Sequence, residues 1–128
     1  MSSITVQSWF IDCADPERLA LFWGQLLGCE ISRRQGPFVF LEPTPESGTR
    51  LRFQRVSEPK RGKLGMHPDL ACEDVHVAAA RVKELGGKRL TGYEAGGFLV
   101  MADPEGNEFC LIPRSGVNMD EAGTAHYL

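Results

Sequence analysis

Hydrophobic and polar positions along the chain follow two alternating periods. Thr5-Val6-Gln7-Ser8-Trp9-Phe10-Ile11 is rich in β-branched and aromatic residues and stops at the polar Asp12–Asp15 turn region, which predicts a strand. Asp15-Pro16-Glu17 then predicts a helix start. An Asp at the N-cap accepts free backbone amides, a proline at the first helical position sacrifices no hydrogen bond, and an early acid faces the positive end of the dipole. Leu19, Phe22, Trp23, Leu26 and Leu27 recur at helical spacing until Gly28 ends the pattern. Three further strands are predicted around Cys29–Arg33, over Phe38–Leu41 and over Leu51–Val56, the last two joined by the turn Thr44-Pro45-Glu46-Ser47-Gly48.

The same succession then repeats. An offset of 59 positions pairs Asp15 with Asp74, Gly28 with Gly87, Pro45 with Pro104 and Glu46 with Glu105. Pro68–Cys72 is predicted as a strand, Val75–Leu85 as a helix ended by Gly86-Gly87, and Lys88–Leu90, Phe98–Met101 and Glu108–Ile112 as strands, with Asp103-Pro104-Glu105-Gly106-Asn107 as a hairpin turn. The expected fold class is α+β, two tandem βαβββ modules in one domain over residues 1–128. Module one covers about 4–56, a polar linker 57–64, module two about 65–113 and a polar tail 114–128.

Composition narrows the function classes. With 128 residues the chain has the size of one ordinary domain. Its 14 basic and 17 acidic residues give a net charge of −3 without a basic stripe, so neither nucleic acid nor an anionic membrane is expected as a partner. The absence of a long apolar run or a signal-type N-terminus in Met1–Phe10 predicts a soluble, cytoplasmic protein. Cys13, Cys29, Cys72 and Cys110 form no Cys-x-x-Cys pair, and the first three read as small buried hydrophobes. There is no nucleophile motif, phosphate-cradling loop or dinucleotide fingerprint.

Asp15-Pro16-Glu17-Arg18-Leu19-Ala20-Leu21-Phe22-Trp23 with Leu26-Leu27-Gly28 resembles the first helix of the vicinal oxygen chelate superfamily, and Asp103-Pro104-Glu105-Gly106-Asn107 is similar to its final hairpin. That superfamily includes glyoxalase I, bleomycin-resistance proteins, fosfomycin-resistance enzymes, methylmalonyl-CoA epimerase and extradiol dioxygenases. Lys60–Leu70, with His67-Pro68-Asp69-Leu70 at its core, is similar to an uncharacterised glyoxalase-like group. The resemblance spans roughly residues 4 to 113. It implies a curled, partly open mixed-sheet barrel with helices outside and a ligand cup inside, and it implies a homodimer.

In metal-dependent members one ligand comes from the first and one from the last strand of each module, usually His, Glu or Gln. Carried over, those positions fall on Ser8, Gln54, His67 and Cys110. A hydroxyl, an amide, one imidazole and one thiol suit Mg, Mn or Fe(II) poorly, so no cofactor is expected, with a divalent metal kept open as an alternative. Side chains at i and i+2 share a strand face, which places Ser8, Phe10 and Asp12 on the cup side with Trp9 and Ile11 packed beneath the helix. Arg52 and Gln54 join that side, as do His67, Asp69 and Ala71, then Glu108, Cys110 and Ile112.

The expected catalytic candidates are His67 and Glu108, and the expected substrate-binding residues are Ser8, Phe10, Arg52, Gln54, Asp69 and Cys110. Each has a plainer alternative. A His before Pro68 also suits a structural hydrogen bond, Asp69 and Glu108 suit a surface or dimer edge, and Trp9, Phe22 and Trp23 suit packing. His76 and His126 read as surface residues. Two functions follow: a metal-independent protein that binds a small organic molecule, or an enzyme (a lyase, isomerase or dioxygenase) using His67 as general acid/base or metal ligand.

Overall fold

The computed structural model describes residues 3–58, 62, 65–90, 98–114, 117–119 and 125–127. Its contacts divide the chain into two compact units, Met1–Arg61 and Gly62–Leu128, with the boundary inside the expected linker.

Unit one contains β1 (Trp9–Cys13), α1 (Pro16–Leu27), β2 (Ile31–Gln35), β3 (Phe38–Leu41) and β4 (Leu51–Arg55). Its sheet has the order β1-β4-β3-β2, with β1 parallel to β4 and the remaining pairs antiparallel. The helical crossover from β1 permits the parallel pair, and short turns permit the others. Asp15 caps α1 by accepting the Arg18 N–H at 3.1 Å. Leu19, Ala20, Phe22 and Trp23 are buried on α1, against the sheet face that carries the buried Val39, Leu41 and Phe53. Gly24 allows a close approach at the end of this helix: a Cβ there would lie 2.6 Å from the Cys29 backbone oxygen.

Unit two repeats the topology with β5 (Asp69–Cys72), α2 (Val75–Glu84), β6 (Lys88–Arg89), β7 (Leu99–Ala102) and β8 (Glu108–Pro113). The order is β5-β8-β7-β6, again with a single parallel pair, β5 with β8. Asp74 caps α2 by accepting the His76 and Val77 N–H groups at 2.8 and 3.2 Å. Val75, Ala79, Val82, Leu99, Met101, Phe109 and Leu111 are buried in this unit. Both sheets are mixed and four-stranded, as expected for tandem βαβββ modules, and neither closes on itself.

Several boundaries differ from the expected ones. β1 begins at Trp9 rather than Thr5, because β4 begins at its register partner Leu51 and offers no ladder to earlier residues. β2 begins at Ile31 rather than Cys29, because Gly28 at φ 76° and the Cys29 N–H bond to the Gly24 carbonyl hold Cys29 in the helix exit. The polar tail contains the antiparallel pair β9 (Val117–Met119) and β10 (Ala125–Tyr127). Trp9 is 46% exposed rather than packed beneath the helix. It starts an edge strand, and α1 lies mainly over β3 and β4.

The two turns before β4 and β8 differ by one residue, and this changes the duplicated register. The Asp103 N–H bonds the Asn107 carbonyl, whereas the Thr44 N–H bonds the Thr49 carbonyl. The offset of 59 that relates Thr44 to Asp103 therefore becomes 58 between Thr49 and Asn107. The shorter turn is held by a buried carboxylate. Asp103 is 2% exposed and accepts from the Glu105 and Asn107 N–H groups, each at 2.9 Å, and from the Asn107 side-chain amide.

Candidate functional site

In unit two, strand alternation turns Phe109, Leu111 and Pro113 toward the core and leaves Glu108, Cys110 and Ile112 on the opposite face. Cys110 stands between Asp69 on β5 and Val100 on β7, its direct register partners. The parallel β5–β8 ladder begins one residue before Asp69, where the Pro68 carbonyl accepts the Cys110 N–H at 3.0 Å. His67, Asp69, Phe98, Val100, Glu108, Cys110 and Ile112 line a cavity of about 250 Å³ on this face.

His67 Nε2 lies 3.4 Å from Asp69 Oδ1, and both side chains are about half exposed. One ligand atom each from His67, Asp69 and Cys110 falls within 4.8 Å of the others. Glu108 lines the same cavity outside this cluster, two residues along the strand from Cys110. Every unit-two site residue expected from the sequence is thus in one cavity. The sequence offers Phe98 or Val100 as a further wall without fixing their phase; both line the cavity, the phase being set by the ladder between β7 and β8.

Unit one shows a different chemistry on the equivalent face. Two rows run straight across its four strands in register: Phe10–Arg52–Phe40–Arg33 and Asp12–Gln54–Phe38–Gln35. The Arg52 guanidinium carbon is 5.0 Å from the Phe40 ring centroid and 5.9 Å from that of Phe10, while that of Arg33 is 4.6 Å from Phe40. Phe10, Phe38, Phe40, Arg33 and Arg52 border a second cavity, of about 400 Å³. Ser8 precedes β1 and Gln54 occupies the neighbouring row, and neither lines this cavity.

The registers also revise the correspondence between the units. Phe10 pairs with Arg52 as Asp69 pairs with Cys110, and the Val56 N–H bonds the Cys13 carbonyl as the Arg114 N–H bonds that of Cys72. Arg52, not Gln54, therefore stands where Cys110 stands in the second unit. The extra residue in the Thr44–Thr49 turn is the cause.

The model of the glyoxalase-like domain family matches residues 8–112. This chain belongs to that family. Among solved structures, this glyoxalase-like chain is similar to the trypanothione-dependent glyoxalase I of Leishmania major, at 23% identity and a TM-score of 0.67 with 88% of each chain covered. It is also similar to a glyoxalase/bleomycin resistance protein/dioxygenase family enzyme from Burkholderia phytofirmans, at 18% identity and a TM-score of 0.66, covering 81% of this chain and 94% of that one. A fosfomycin resistance protein from Mesorhizobium loti shares 14% identity and a TM-score of 0.65, covering 86% and 91%. These likenesses show the α+β fold of glyoxalase-like proteins. Comparison with curated proteins gives no match. Among the described residues no helix is long and apolar enough to cross a membrane.

The residues of this glyoxalase-like chain fit the superfamily's divalent ion poorly. A guanidinium has no lone pair to donate and carries a permanent positive charge, so Arg52 opposes a cation at the position where a ligand is expected. The local trio of His67, Asp69 and Cys110 is a different donor set. Its nitrogen, oxygen and sulfur atoms suit zinc better than Mg or Mn.

The other three thiols, Cys13, Cys29 and Cys72, sit outside both cavities. Burial raises the pKa of Cys29, with Glu42 adding to the effect. Burial likewise raises that of Cys72, reinforced by Asp74 and Glu73 and opposed by Arg114. His76 is exposed in the first turn of α2, and the His126 side chain lies outside the described residues.

Proposed function

We propose that this glyoxalase-like chain binds a small organic molecule without the superfamily's divalent ion, using the sheet faces turned away from its helices. The observation that carries the proposal is the register that puts Arg52 at the unit-one counterpart of Cys110. The unit-two cavity adds support: Phe98, Val100 and Ile112 form apolar walls around the polar ends of His67, Asp69, Glu108 and Cys110. An apolar lining with a few converging polar groups is the usual composition of a small-ligand site. A homodimer in solution is part of the same proposal, checked by light scattering on the eluting protein.

A second reading is favoured by the His67–Asp69–Cys110 cluster. In it the protein is an enzyme, with His67 as general acid/base oriented by Asp69, or with the trio holding zinc. Zinc in such a place supplies Lewis acidity toward an oxygen of the substrate. Asp69 would fix the imidazole, and Glu108 would offer a second proton-transferring group at the cavity wall.

Elemental analysis of protein purified without chelator, with thermal melts in Mn, Ni, Fe(II) and Zn, separates the metal-free readings from the zinc one. The binding reading expects substoichiometric metal and unmoved melting temperatures. Near-stoichiometric metal that disappears in His67→Ala would overturn it. Turnover lost in His67→Ala while ligand affinity is retained would establish the enzymatic reading.

A further inference from the structure

We infer that the Phe10–Arg52–Phe40–Arg33 row of unit one is a binding site for an organic anion with a flat apolar body, of the aromatic carboxylate class. The inference rests on the small-molecule-binding reading above and names the ligand chemistry for one of its two cavities. Four strands contribute one side chain each, alternating aromatic and cation across the sheet. Because these are direct cross-strand neighbours, their spacing is fixed by the ladder rather than by flexible loops.

Both guanidinium groups rest over the same Phe40 ring, at 4.6 and 5.0 Å. Two like charges gathered on one ring repel each other, and an anion seated beside them relieves that repulsion. Among the described residues neither Arg33 nor Arg52 has a carboxylate partner. Their neighbour Arg34 shows the contrast. Pointing to the other face, it is engaged by Glu17 through two hydrogen bonds of 2.6 and 3.0 Å. The carboxylate nearest in register on the cavity face is Asp12, which faces Gln54 in the next row.

The apolar part of the ligand is specified by the remaining walls. Phe10 and Phe38 meet edge to face at 5.9 Å between centroids, Phe38 and Phe40 lie at 6.1 Å, and Pro37 borders the same cavity of about 400 Å³. Stacking on these rings selects a flat body, while a planar carboxylate matches the guanidinium fork. A metal ion or an organic cation is repelled by the same two charges. Two arginines without a longer basic stripe, in a chain of net charge −3, do not suit nucleic acid.

The test uses naphthoate and its neutral isostere naphthamide as probes, with affinities from calorimetry and contact sites from amide chemical shifts. The wild-type full chain is expected to bind naphthoate at least about tenfold more tightly than naphthamide, the worth of one charge-assisted hydrogen bond. Arg52→Gln and Arg33→Gln should each remove most of that preference and leave naphthamide affinity unchanged. Arg52→Lys should restore part of it, which separates loss of charge from loss of fold. Arg55→Gln, on an exposed residue outside the row, should change nothing. Equal affinity for the two probes, or a preference intact in Arg52→Gln, overturns the anion site and leaves small-molecule binding standing. If neither probe binds at millimolar concentration the anion site is also overturned, while the His67→Ala measurements above judge the broader reading separately.

Discussion

Replacing Asp103 with alanine should destabilise unit two far more than a surface substitution would. The carboxylate is 2% exposed and Asn107 is 7% exposed. Asp103 receives the Glu105 N–H, the Asn107 N–H and the Asn107 side-chain amide at 2.9 to 3.1 Å. Each buried donor left without a partner costs about 1–3 kcal/mol. The buried Asn107 N–H and side-chain amide count in full, whereas the part-buried Glu105 N–H can turn partly to water, which gives a loss of about 3–4 kcal/mol. That is a large part of the ~5–15 kcal/mol that holds a domain folded.

The equivalent turn of unit one supplies an internal comparison. Thr44 Oγ1 accepts a single amide, from Thr49 at 3.0 Å, and shares a 2.8 Å bond with the hydroxyl of the exposed Ser47, which can turn to water, so Thr44→Val should cost only about 1 kcal/mol. Urea unfolding followed by far-ultraviolet circular dichroism measures both. Trp9 and Trp23 both lie in unit one and report it by fluorescence, and amide exchange at Asn107 reports unit two. A loss below about 1 kcal/mol in Asp103→Ala, or equal losses in the two variants, would show that the buried carboxylate does not hold the turn.

Gly24→Ala should destabilise unit one by about 1–3 kcal/mol, because the new Cβ meets the Cys29 carbonyl at 2.6 Å and forces the helix exit to move; a wild-type urea midpoint would refute this. The bond from Arg34 holds the Glu17 carboxyl below its ordinary pKa, so the pair adds stability above the usual glutamate range that is lost as pH falls through the lowered value. Because both groups are exposed the effect on unfolding is small, but a carbon-detected titration should show Glu17 returning upward in Arg34→Gln. Cys29 and Cys72, with pKa values raised by burial, should alkylate slowly at neutral pH and faster as pH rises. Fast labelling of either at pH 7 would contradict that account.

Local chemistry made much of the fold legible. Asp15 caps α1, as its position before an apolar-periodic segment predicted, and its offset partner Asp74 caps α2. β3 matches its predicted bounds and β4 ends one residue early, since alternation of apolar and polar residues reports directly which face a strand buries. The polar group around His67 was legible for the same reason: Asp69, Glu108 and Cys110 have the strand phase that turns them from the core, and they do line one cavity with His67.

What the sequence by itself determined was therefore the type of the elements in the two modules and the face that the residues of β4, β5 and β8 take, because both depend on neighbours a few positions away. Only the tertiary structure decided which residues meet across strands. A one-residue difference between the Thr44–Thr49 and Asp103–Asn107 turns changes the duplicated offset from 59 to 58, and with it the counterpart of Cys110 changes from Gln54 to Arg52. The ladder then sets Arg52 between Phe10 and Phe40. Register is a property of two strands together with the turn that joins them, so no single segment encodes it. That pairing separates a cationic, aromatic face in unit one from the His67–Asp69–Cys110 face in unit two.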